Sequence, residues 1–552
     1  MGKVISILSS AATFLLFGCA GQFGPPGGPI DKTPPKIIST SPTEKETRFS
    51  SDRIEIKFSK YMSQRSVESA VYLPPFNASQ LAFDWSGKTL TIALKEPLAQ
   101  DQTYILTIGT GAPDLRNNHL AQAYNLVFST GAHVDTGSVS GQVFADKPRP
   151  FTVAAFAVTD SIDTLRPFLC LPKYVTQSDD SGLYVLQGLA VGKYRLIAFD
   201  DQVRNFMYAP QVDAYSSADR DIEVTGDSQS VSDVNFIVGI EDTTPPQMFD
   251  AEAYHDGIVI VKFSEPVDSE NISPADFNVS DSATQQILPV RVSARSEAHQ
   301  EQVYLCLASK LRDDQKIVVI GSKRIKDLSG NELSPSGDTV MCGVGKTRSE
   351  FTPWFFNFTD STRNVSGDDT LSCQIILADP DKDSAGVVLL DSLKYEIKPG
   401  VRNVSTTLAT VDLSGLNSLE WYTLRINYHG DLNGQDIDTV IDRRFRTIDR
   451  SSLGEVTGDI SGGRQGAAVV VVAKGADGKK YYRLCANDGT FDFTDLPSGD
   501  YSFSAYVKHG PAMGYFFGQS YPFKFSEPFG IYPQNVHVRA RWTVEGIQIR
   551  IF

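Results

Sequence analysis

The sequence Arg-Ile-Glu-Ile-Lys-Phe-Ser at residues 53–59 alternates charged and apolar side chains. Because successive side chains of a β-strand point to opposite faces, this period of two is typical of a strand with one face in a core. Similar runs recur along the chain, separated by clusters of Gly, Asp and Asn at the spacing of hairpin turns. The mature chain has no long stretch with the 3.6-residue period of a helix. The sequence therefore predicts an all-β protein.

This strand belongs to a repeated unit, which we call type A. Its marks are an opening TPP, the alternating strand and a later apolar strand. In the first two copies these marks are TPP, RIEIKFS and YILTI at residues 33–35, 53–59 and 104–108, and TPP, IVIVKFS and KIVVI at residues 244–246, 258–264 and 316–320. A more worn third copy keeps YTLRI at residues 422–426 and DLNG at residues 431–434. Three type A units are predicted.

A second repeated unit, type B, is easier to align. DSGLYVLQGLAVGKY at residues 180–194 matches NDGTFDFTDLPSGDY at residues 487–501 without a gap. Each copy begins with a similar strand, GSVSG at residues 137–141 and GEVTG at residues 454–458. The order of units along the chain is A-B-A-A-B, which gives each unit about 100 residues, a suitable size for a β-sandwich with its own core.

The predicted organisation is a linear array of five β-sandwich modules behind an export segment. The predicted ranges are residues 1–18 for a signal peptide, 19–32 for a Gly/Pro tether, 33–131 for module 1, 137–239 for module 2, 242–345 for module 3, 350–449 for module 4 and 454–552 for module 5. Short connections between modules, one of them stiffened by the prolines of TPP, predict that successive modules lie end to end in an elongated, semi-rigid monomer.

Both unit types resemble known families. Modules 1 and 3 are similar to the bacterial Ig-like domain of the SbsA type, marked by TPP, I-x-I-x-F-S, Y-x-L-x-I and a late D-x-x-G-N, and module 4 resembles a degenerate member. Modules 2 and 5 are similar to the transthyretin-like modules called carboxypeptidase regulatory-like domains, marked by D-G-x-F-x-F-x-x-L-P-x-G-x-Y. The whole chain resembles large lipoproteins of Bacteroidota. These resemblances imply an Ig-like or transthyretin-like sandwich for each module and no shared activity.

The N-terminus carries export and anchoring signals. A short positive n-region precedes an uncharged apolar stretch at residues 4–17, which has the length of a signal peptide. The following Leu16-Phe17-Gly18-Cys19 resembles the bacterial lipobox, and this implies a lipid on Cys19 that anchors the protein in the outer membrane, on a side that the sequence leaves open. Residues 20–29, rich in Gly and Pro, suit a spacer. The alternative is cleavage at another small residue, with Cys19 an incidental thiol.

The composition excludes one class of partner. The chain has 552 residues, with 51 Lys and Arg against 66 Asp and Glu, and a formal net charge of −15. Because such a surface repels polyanions, we expect no nucleic-acid partner. The remaining partner classes are the membrane, reached through the N-terminal lipid, and an envelope protein or glycan.

The sequence has no motif that specifies a reaction. It lacks a G-x-S-x-G elbow, an H-E-x-x-H zinc motif and a phosphate-binding G-x-x-x-x-G-K-[ST] loop. The best metal candidate is the loop at residues 379–383 (DPDKD), whose three carboxylates could converge on Ca²⁺. Ser384 and Leu390 stand where an EF-type loop has Gly and Glu, so a solvated turn is favoured. We therefore expect no enzyme, no catalytic residue, no cofactor and no metal site.

Cysteines and aromatic residues offer two further choices. Five cysteines follow Cys19, so at least one thiol is unpaired. Cys306 and Cys342 fall in one module and could form a disulfide, although a buried reduced Cys is favoured for each. The aromatic stretch GYFFGQSY at residues 514–521 is either a docking patch or packing onto the last sandwich. Packing is favoured, because Tyr208 of module 2 aligns with Tyr515.

These observations favour one function over two alternatives. The leading hypothesis is a non-catalytic, lipid-anchored cell-envelope protein that serves as a modular binding or spacing arm. The first alternative is a lipid-anchored enzyme acting on envelope or polysaccharide substrates, with its site between modules. The second is a self-assembling surface-layer component.

Overall fold

The computed structural model describes residues 31–75, 81–147, 149–159, 165–203, 205–226, 229–345, 354–365, 371–377, 382–397, 401–403, 408–411, 413, 415–432, 435–463, 467–486, 489–508 and 514–552. It is nearly all-β, with 51% strand and 3% helix, so the predicted fold class is confirmed. The α-helix in these residues, Gln64–Glu68, has five residues. Among the described helices, none has the length and apolar character needed to cross a membrane.

Modules 1 and 3 share one arrangement, in which a four-stranded sheet faces a three-stranded sheet. In order of hydrogen-bonded neighbours, the strands of module 1 are Ile37–Ser41, Arg53–Phe58, Thr89–Leu94 and Leu81–Ser86, then Val71–Tyr72, Thr103–Ile108 and Tyr124–Ser129. Those of module 3 are Met248–Ala253, Ile258–Phe263, Gln302–Leu307 and Val290–Arg295, then Phe277–Asp281, Lys316–Gly321 and Thr339–Gly343. Module 3 also has 3₁₀ turns at Ser269–Asn271 and Pro274–Asp276. The predicted strand Arg53–Phe58 exposes its charged residues and buries its apolar ones.

Modules 2 and 5 share a second arrangement, in which the opening strand pairs with a parallel partner in a small sheet. In module 2 the strands are Leu183–Leu189, Gly137–Phe144, Ser230–Val231 and Phe236–Ile237, then Tyr174–Gln177, Thr152–Ala157, Gly192–Phe199, Ala214–Ser217, Gly239–Ile240 and Ile222–Val224. In module 5 they are Thr490–Pro497, Leu453–Gly462 and Thr543–Ile551, then Lys480–Ala486, Ala468–Gly475, Gly499–Val507, Phe529–Ile531 and Val536–Val538.

Module 4 is built on a long hairpin, which is followed by the 3₁₀ turn Arg450–Ser452. Its strands are Trp354–Phe356, Leu371–Ile375, Leu408–Val411 and Val401–Asn403, then Thr362–Val365, Gln435–Thr447, Trp421–Leu432, Ser384–Leu390 and Glu396–Ile397. The register pairs Leu432 with Gln435. Two consecutive strands that meet in this way form a hairpin.

Each of the five segments buries its own apolar cluster. The cluster of module 2 also takes in Ile105 and Val127 of module 1, which are 1% and 3% exposed. Gly188 of module 2 lies against these two side chains, and its φ of +75° is one that side chains rarely adopt. Modules 3 and 4 meet where the Gln374 side chain accepts from Glu297 N at 2.9 Å and donates to Arg295 O at 2.8 Å.

The expectation that successive modules form one elongated array is wrong in that modules 2 and 5, which are not successive, are in contact. Phe144 of module 2 packs edge-on against Phe529 of module 5, with ring centroids 5.9 Å apart. Ser217 of module 2 donates its backbone N–H to Phe517 O of module 5 at 3.0 Å. Short linkers limit contacts between neighbours in sequence but do not stop two modules from meeting when two others intervene. The polypeptide therefore leads from module 2 through modules 3 and 4 and brings module 5 back into contact with module 2.

The five cysteines after Cys19 are all free. Cys306 lies in strand Gln302–Leu307 and Cys342 in strand Thr339–Gly343, which belong to different sheets of module 3. Because both thiols are free, the disulfide alternative is wrong for this pair. Burial raises the pKa of the Cys373 thiol to about 12, and burial with nearby carboxylates raises that of Cys342 to about 11. Thiolate, the reactive form, is therefore scarce at neutral pH in both.

Candidate functional site

A loop of module 5, residues 514–527, joins modules 5 and 2, and we call it the docking loop. Its centre is a tight hairpin in which Gln519 and Lys524 exchange backbone hydrogen bonds of 3.0 and 2.9 Å. Ser217 of module 2, fully buried, accepts from Ser526 N at 2.8 Å and donates through Oγ to Lys524 O at 3.1 Å. The backbone of the loop is therefore satisfied by a side chain of another module.

Glu241, in the linker between modules 2 and 3, is clamped by the same loop. It is 4% exposed, and its Oε1 accepts from Ser520 N at 2.6 Å while its Oε2 accepts from the Tyr208 hydroxyl at 2.9 Å. Burial, with the nearby Glu241 carboxylate, raises the pKa of Tyr208 above its usual value, so the hydroxyl stays a donor. The clamp fixes the linker against both modules.

An arginine of module 2 packs against aromatic rings of the docking loop at this junction. Arg195 is 5% exposed and binds Asp221 through two hydrogen bonds of 2.8 and 3.0 Å. Its guanidinium lies 4.2 Å from the ring centroid of Phe523 and 5.0 Å from that of Phe525, both in the docking loop. A cation over an aromatic face is stabilising and more so when it is shielded from water.

The junction leaves an open cleft with a volume of about 1100 Å³ between modules 1, 2 and 5. Amide side chains line much of it, namely Gln122, Asn125, Gln142, Gln177, Gln187, Asn235 and Asn535. Aromatic rings complete the lining, namely Tyr124, Phe144, Tyr184, Tyr532 and Phe552. The cleft therefore places neutral amide groups beside aromatic rings. Four of these amides, those of Asn125, Gln142, Gln177 and Asn235, also form hydrogen bonds within the protein, which orient them.

Two carboxylates lie in the lining, Asp179 and Asp233. The Asp179 carboxylate accepts from Ser181 N and Leu183 N at 2.9 Å each and from Ser181 Oγ at 2.7 Å. These bonds close the turn before strand Leu183–Leu189. Asp179 thus serves the turn, an ordinary structural task for an Asp at this place.

The aromatic stretch at residues 514–521 packs, as favoured, but onto two modules. Tyr515 packs edge-on against Tyr506 and Phe529 of its own module, with centroids 5.6 and 5.5 Å away. Phe517 instead covers Gly239 of module 2, where an added Cβ would lie 2.6 Å from its ring. The sequence does not predict this second partner, because nothing in the stretch itself indicates which module it meets.

Two predicted sites fall partly or wholly outside the described residues. Cys19, the predicted lipid attachment residue, lies outside them, as do residues 379–381 of the candidate calcium loop. Asp383, the last carboxylate of that loop, is described and is buried at 4% exposure.

Equivalent places in modules 1 and 3 hold clusters of charged groups that the sequence analysis did not single out. In module 1, Lys60 Nζ donates to Asp31 Oδ2 at 2.7 Å and to Asp114 Oδ2 at 3.1 Å, and it also bonds to the Thr33 carbonyl. Asn118 Nδ2 donates to Asp114 Oδ2 at 2.9 Å and to Asp31 O at 3.0 Å. We call this arrangement the module 1 cradle.

The module 3 cradle has the same frame and a different centre. Asn331 Nδ2 donates to Asp327 Oδ2 at 2.8 Å and to Asp242 O at 3.0 Å, as Asn118 does in module 1. Glu265 stands where Lys60 stands, and carboxylate oxygens of Asp242, Glu265 and Asp327 all lie within 4.8 Å of one another. The alignment of the two type A copies could have shown this exchange of Lys for Glu.

The pKa values reflect these centres. Burial alone would raise the pKa of Asp114, but hydrogen bonds from Asn118, the backbone and Lys60 lower it to about 2. Burial and the charges of Asp242 and Asp327 raise the pKa of Glu265 to about 7. Burial also raises the pKa of Asp327 despite its bonds from Asn331. Like charges close together disfavour ionisation, whereas a cation favours it.

Residues 31–130, which are essentially module 1, match the bacterial Ig-like domain family. No curated protein matches this sequence. Among solved structures, the N-terminal part of the bacterial S-layer protein SbsC is similar at 17% identity and a TM-score of 0.18, over 37% of this chain and 44% of that one. The chain therefore spans less than half of that fragment.

Two further structures are similar over larger shares. One is native alpha-2-macroglobulin from Escherichia coli, domains MG0-NIE-MG1, with 12% identity and a TM-score of 0.16 over 49% of this chain and 95% of that one. The other is BcpA, the major pilin subunit of Bacillus cereus, with 10% identity and a TM-score of 0.13 over 75% and 99%. TM-scores this low carry no argument about function.

Proposed function

We propose that the chain is a non-catalytic, lipid-anchored protein of the cell envelope, held in the outer membrane through Cys19, whose modules bind a neutral glycan. The observation that carries the proposal is the cleft between modules 1, 2 and 5. Its amide groups can bond to sugar hydroxyls, and its rings can stack on sugar faces. Its volume, about 1100 Å³, is that of a site for several linked units rather than a single small molecule.

The junction supports this role because it makes the cleft rigid. The walls come from three modules, and the docking loop and Glu241 hold two of them together through buried hydrogen bonds. A preorganised site loses less entropy when its ligand binds. The protein thus acts as a binding and spacing unit whose modules 2 and 5 are joined, in place of a fully extended arm.

A glycan array tests the binding step. The purified chain is expected to retain neutral polysaccharides, and Tyr532→Ala, in the cleft wall, is expected to lose them. Tyr395→Ala is the matched control, since Tyr395 is 69% exposed on module 4 and away from the cleft lining. Equal retention by both variants, or no retention by the unaltered chain, would rule out glycan binding in the cleft.

Fatty-acid labelling tests the anchor. If Cys19 carries the lipid, Cys19→Ser abolishes labelling and leaves the protein unanchored or unprocessed. Labelling that persists in the variant would contradict the proposal.

The enzyme alternative would need its acid and base in the same cleft. Of the two carboxylates in its lining, Asp179 is held by three turn hydrogen bonds. A general acid or base must be able to exchange a proton with the substrate, and the turn hydrogen bonds occupy the Asp179 carboxylate. The observation favours binding, and hydrolysis of a retained polysaccharide that stops in Asp233→Asn would favour the enzyme instead.

A further inference from the structure

We propose that Asp242, Glu265 and Asp327 of module 3 bind one Ca²⁺ ion, which occupies the position that the Lys60 ammonium occupies in module 1. The chain itself supplies the comparison, because the two cradles are built by equivalent residues of two copies of one repeat. Asp31 and Asp242, Asp114 and Asp327, and Asn118 and Asn331 correspond in sequence and in their hydrogen bonds.

The module 1 cradle shows that this frame binds a cation. The Lys60 ammonium is 2.7 and 3.1 Å from the two aspartates and also bonds to the Thr33 carbonyl. Three oxygens thus converge on one positive centre. The oxygens come from two carboxylates and a backbone carbonyl, which are the ligand types that Ca²⁺ takes in proteins.

The module 3 cradle keeps the two aspartates and has the Glu265 carboxylate where module 1 has its cation. Within the described residues, no Lys, Arg or His forms an ion pair with Asp242, Glu265 or Asp327, and the Glu265 carboxyl group has a side-chain hydrogen bond with Asp242. Three ionised carboxylates at this separation repel each other. A bound dication would remove this repulsion, whereas an empty cradle retains it or must hold protons.

The ligand set indicates Ca²⁺ among the metals. All three ligands are hard oxygens, which excludes preference for a metal that seeks thiolate or imidazole. Ca²⁺ accepts several carboxylate ligands in flexible geometry, whereas Mg²⁺ keeps its waters and usually takes one or two carboxylates. A centre with three carboxylates therefore favours Ca²⁺. Asp242 is exposed, which leaves room for water ligands.

The site would tie the linker to module 3. Asp242 follows Glu241, so adjacent linker residues face two ways, with Glu241 bound to the docking loop and Asp242 in the cradle. Ca²⁺ would then fix module 3 relative to the junction of modules 2 and 5. This role is independent of what the cleft binds.

Equilibrium dialysis of the full chain with ⁴⁵CaCl₂ tests the proposal. We expect about one ion per chain, with a dissociation constant on the order of 10⁻⁴–10⁻³ M, as in other weak modules. Glu265→Lys, which copies the module 1 centre, is expected to lose this ion, and Glu265→Gln to bind it about tenfold more weakly. Lys60→Glu, the reciprocal change, is expected to raise the number to two.

Controls separate this site from others. Circular dichroism verifies that each variant is folded. If Glu265→Lys does not fold, the loss of calcium binding is judged from Glu265→Gln. Ca²⁺ is expected to slow hydrogen exchange in residues 240–247 and 325–333 of the unaltered chain. No binding at 5 mM CaCl₂, binding unchanged in Glu265→Lys, binding lost instead in Asp381→Ala, or tighter binding of MgCl₂ would each overturn the proposal.

Discussion

Modules 1 and 3 use the same backbone frame for opposite electrostatic arrangements. In both, an Asp followed four residues later by an Asn closes a turn, and the Asn side chain also holds the segment before TPP. The turn bonds agree closely, since Asn118 N to Asp114 Oδ1 is 2.9 Å and Asn331 N to Asp327 Oδ1 is 2.8 Å. Only the third side chain changes the sign of the centre, so the frame does not depend on it.

The difference teaches that a repeat can keep its fold while one position decides its chemistry. Lys60 places one positive charge between the two aspartates of its cradle. Glu265 instead adds a third carboxyl group, and burial with the charges of Asp242 and Asp327 raises its pKa to about 7. The explanation can therefore be tested by exchanging these two residues, by changing the linker beside the module 3 cradle or by changing the pH.

The largest effect is expected from Lys60→Glu in the presence of a chelator. The change removes the cation from between Asp31 and Asp114, the latter 4% exposed, and adds a like charge. Because the Asp114 carboxylate then loses its charged partner, module 1 should be destabilised. Hydrogen exchange in strand Thr103–Ile108 measures the loss. Lys57→Glu, on the exposed face of strand Arg53–Phe58, is the control, and an equal loss there would show that the cradle is not responsible.

A smaller loss of stability is expected from Glu241→Ala, in the linker that leads to the module 3 cradle. Asp242 follows the clamped Glu241, so Glu241→Ala should leave the Ser520 N–H and the Tyr208 hydroxyl without their acceptor. Such buried, unsatisfied donors cost about 2 kcal/mol. The radius of gyration from X-ray scattering should rise as modules 2 and 5 separate. Glu241→Gln keeps an acceptor and should open less, and an unchanged radius in Glu241→Ala would contradict the clamp.

Much of this organisation could be predicted from the sequence. Alternation at residues 53–59 and the gapless repeat at residues 180–194 and 487–501 depend on local side-chain period, and the strands formed there. The strand predicted at residues 422–426 from the third type A copy also formed. Local pattern is enough where the determining interactions lie within one strand or turn.

The junction of modules 2 and 5 could not be predicted, because its bonds join residues about 300 positions apart. Ser217, buried and bonded to Lys524 and Ser526, looks in the sequence like any polar strand residue. The module 3 cradle is a different case. Its charges are local to a repeat, and the copies align, so Glu265 opposite Lys60 was open to prediction.

A stabilising effect of about 1 kcal/mol is expected from Glu265→Lys without Ca²⁺. The new ammonium would lie between Asp242 and Asp327, as Lys60 lies between its partners, and would replace repulsion by attraction. Slower hydrogen exchange in strand Lys316–Gly321 measures the gain. Lys262→Glu, at an exposed pair on the same sheet, should instead lose stability. Faster exchange in Glu265→Lys would show that the two cradles are not equivalent.

The smallest effect is expected from pH, where the two modules should respond oppositely. The pKa of Glu265 is raised from 4.5 to about 7 in the folded state, so folded module 3 binds more protons than the unfolded chain between these values. The free energy of unfolding of module 3 therefore increases as the pH falls from 8 to 5. The same contribution is lost when the pH rises through 7. The pKa of Asp114 is lowered to about 2, so module 1 should keep its stability over this range and lose it below about pH 4.

Hydrogen exchange, corrected for its intrinsic pH dependence, measures both responses in a chelator. Strand Lys316–Gly321 should become better protected on acidification to pH 5, while strand Thr103–Ile108 stays the same. Glu265→Gln cannot titrate, so it should abolish the response of module 3, whereas the raised pKa of Asp327 leaves a small remainder. Because protonation only neutralises Glu265, the gain should be smaller than that from Glu265→Lys, which also supplies a cation. Loss of protection in module 3 at pH 5 would contradict the prediction. It would mean that the three carboxylates of module 3 do not destabilise the folded state by repelling each other.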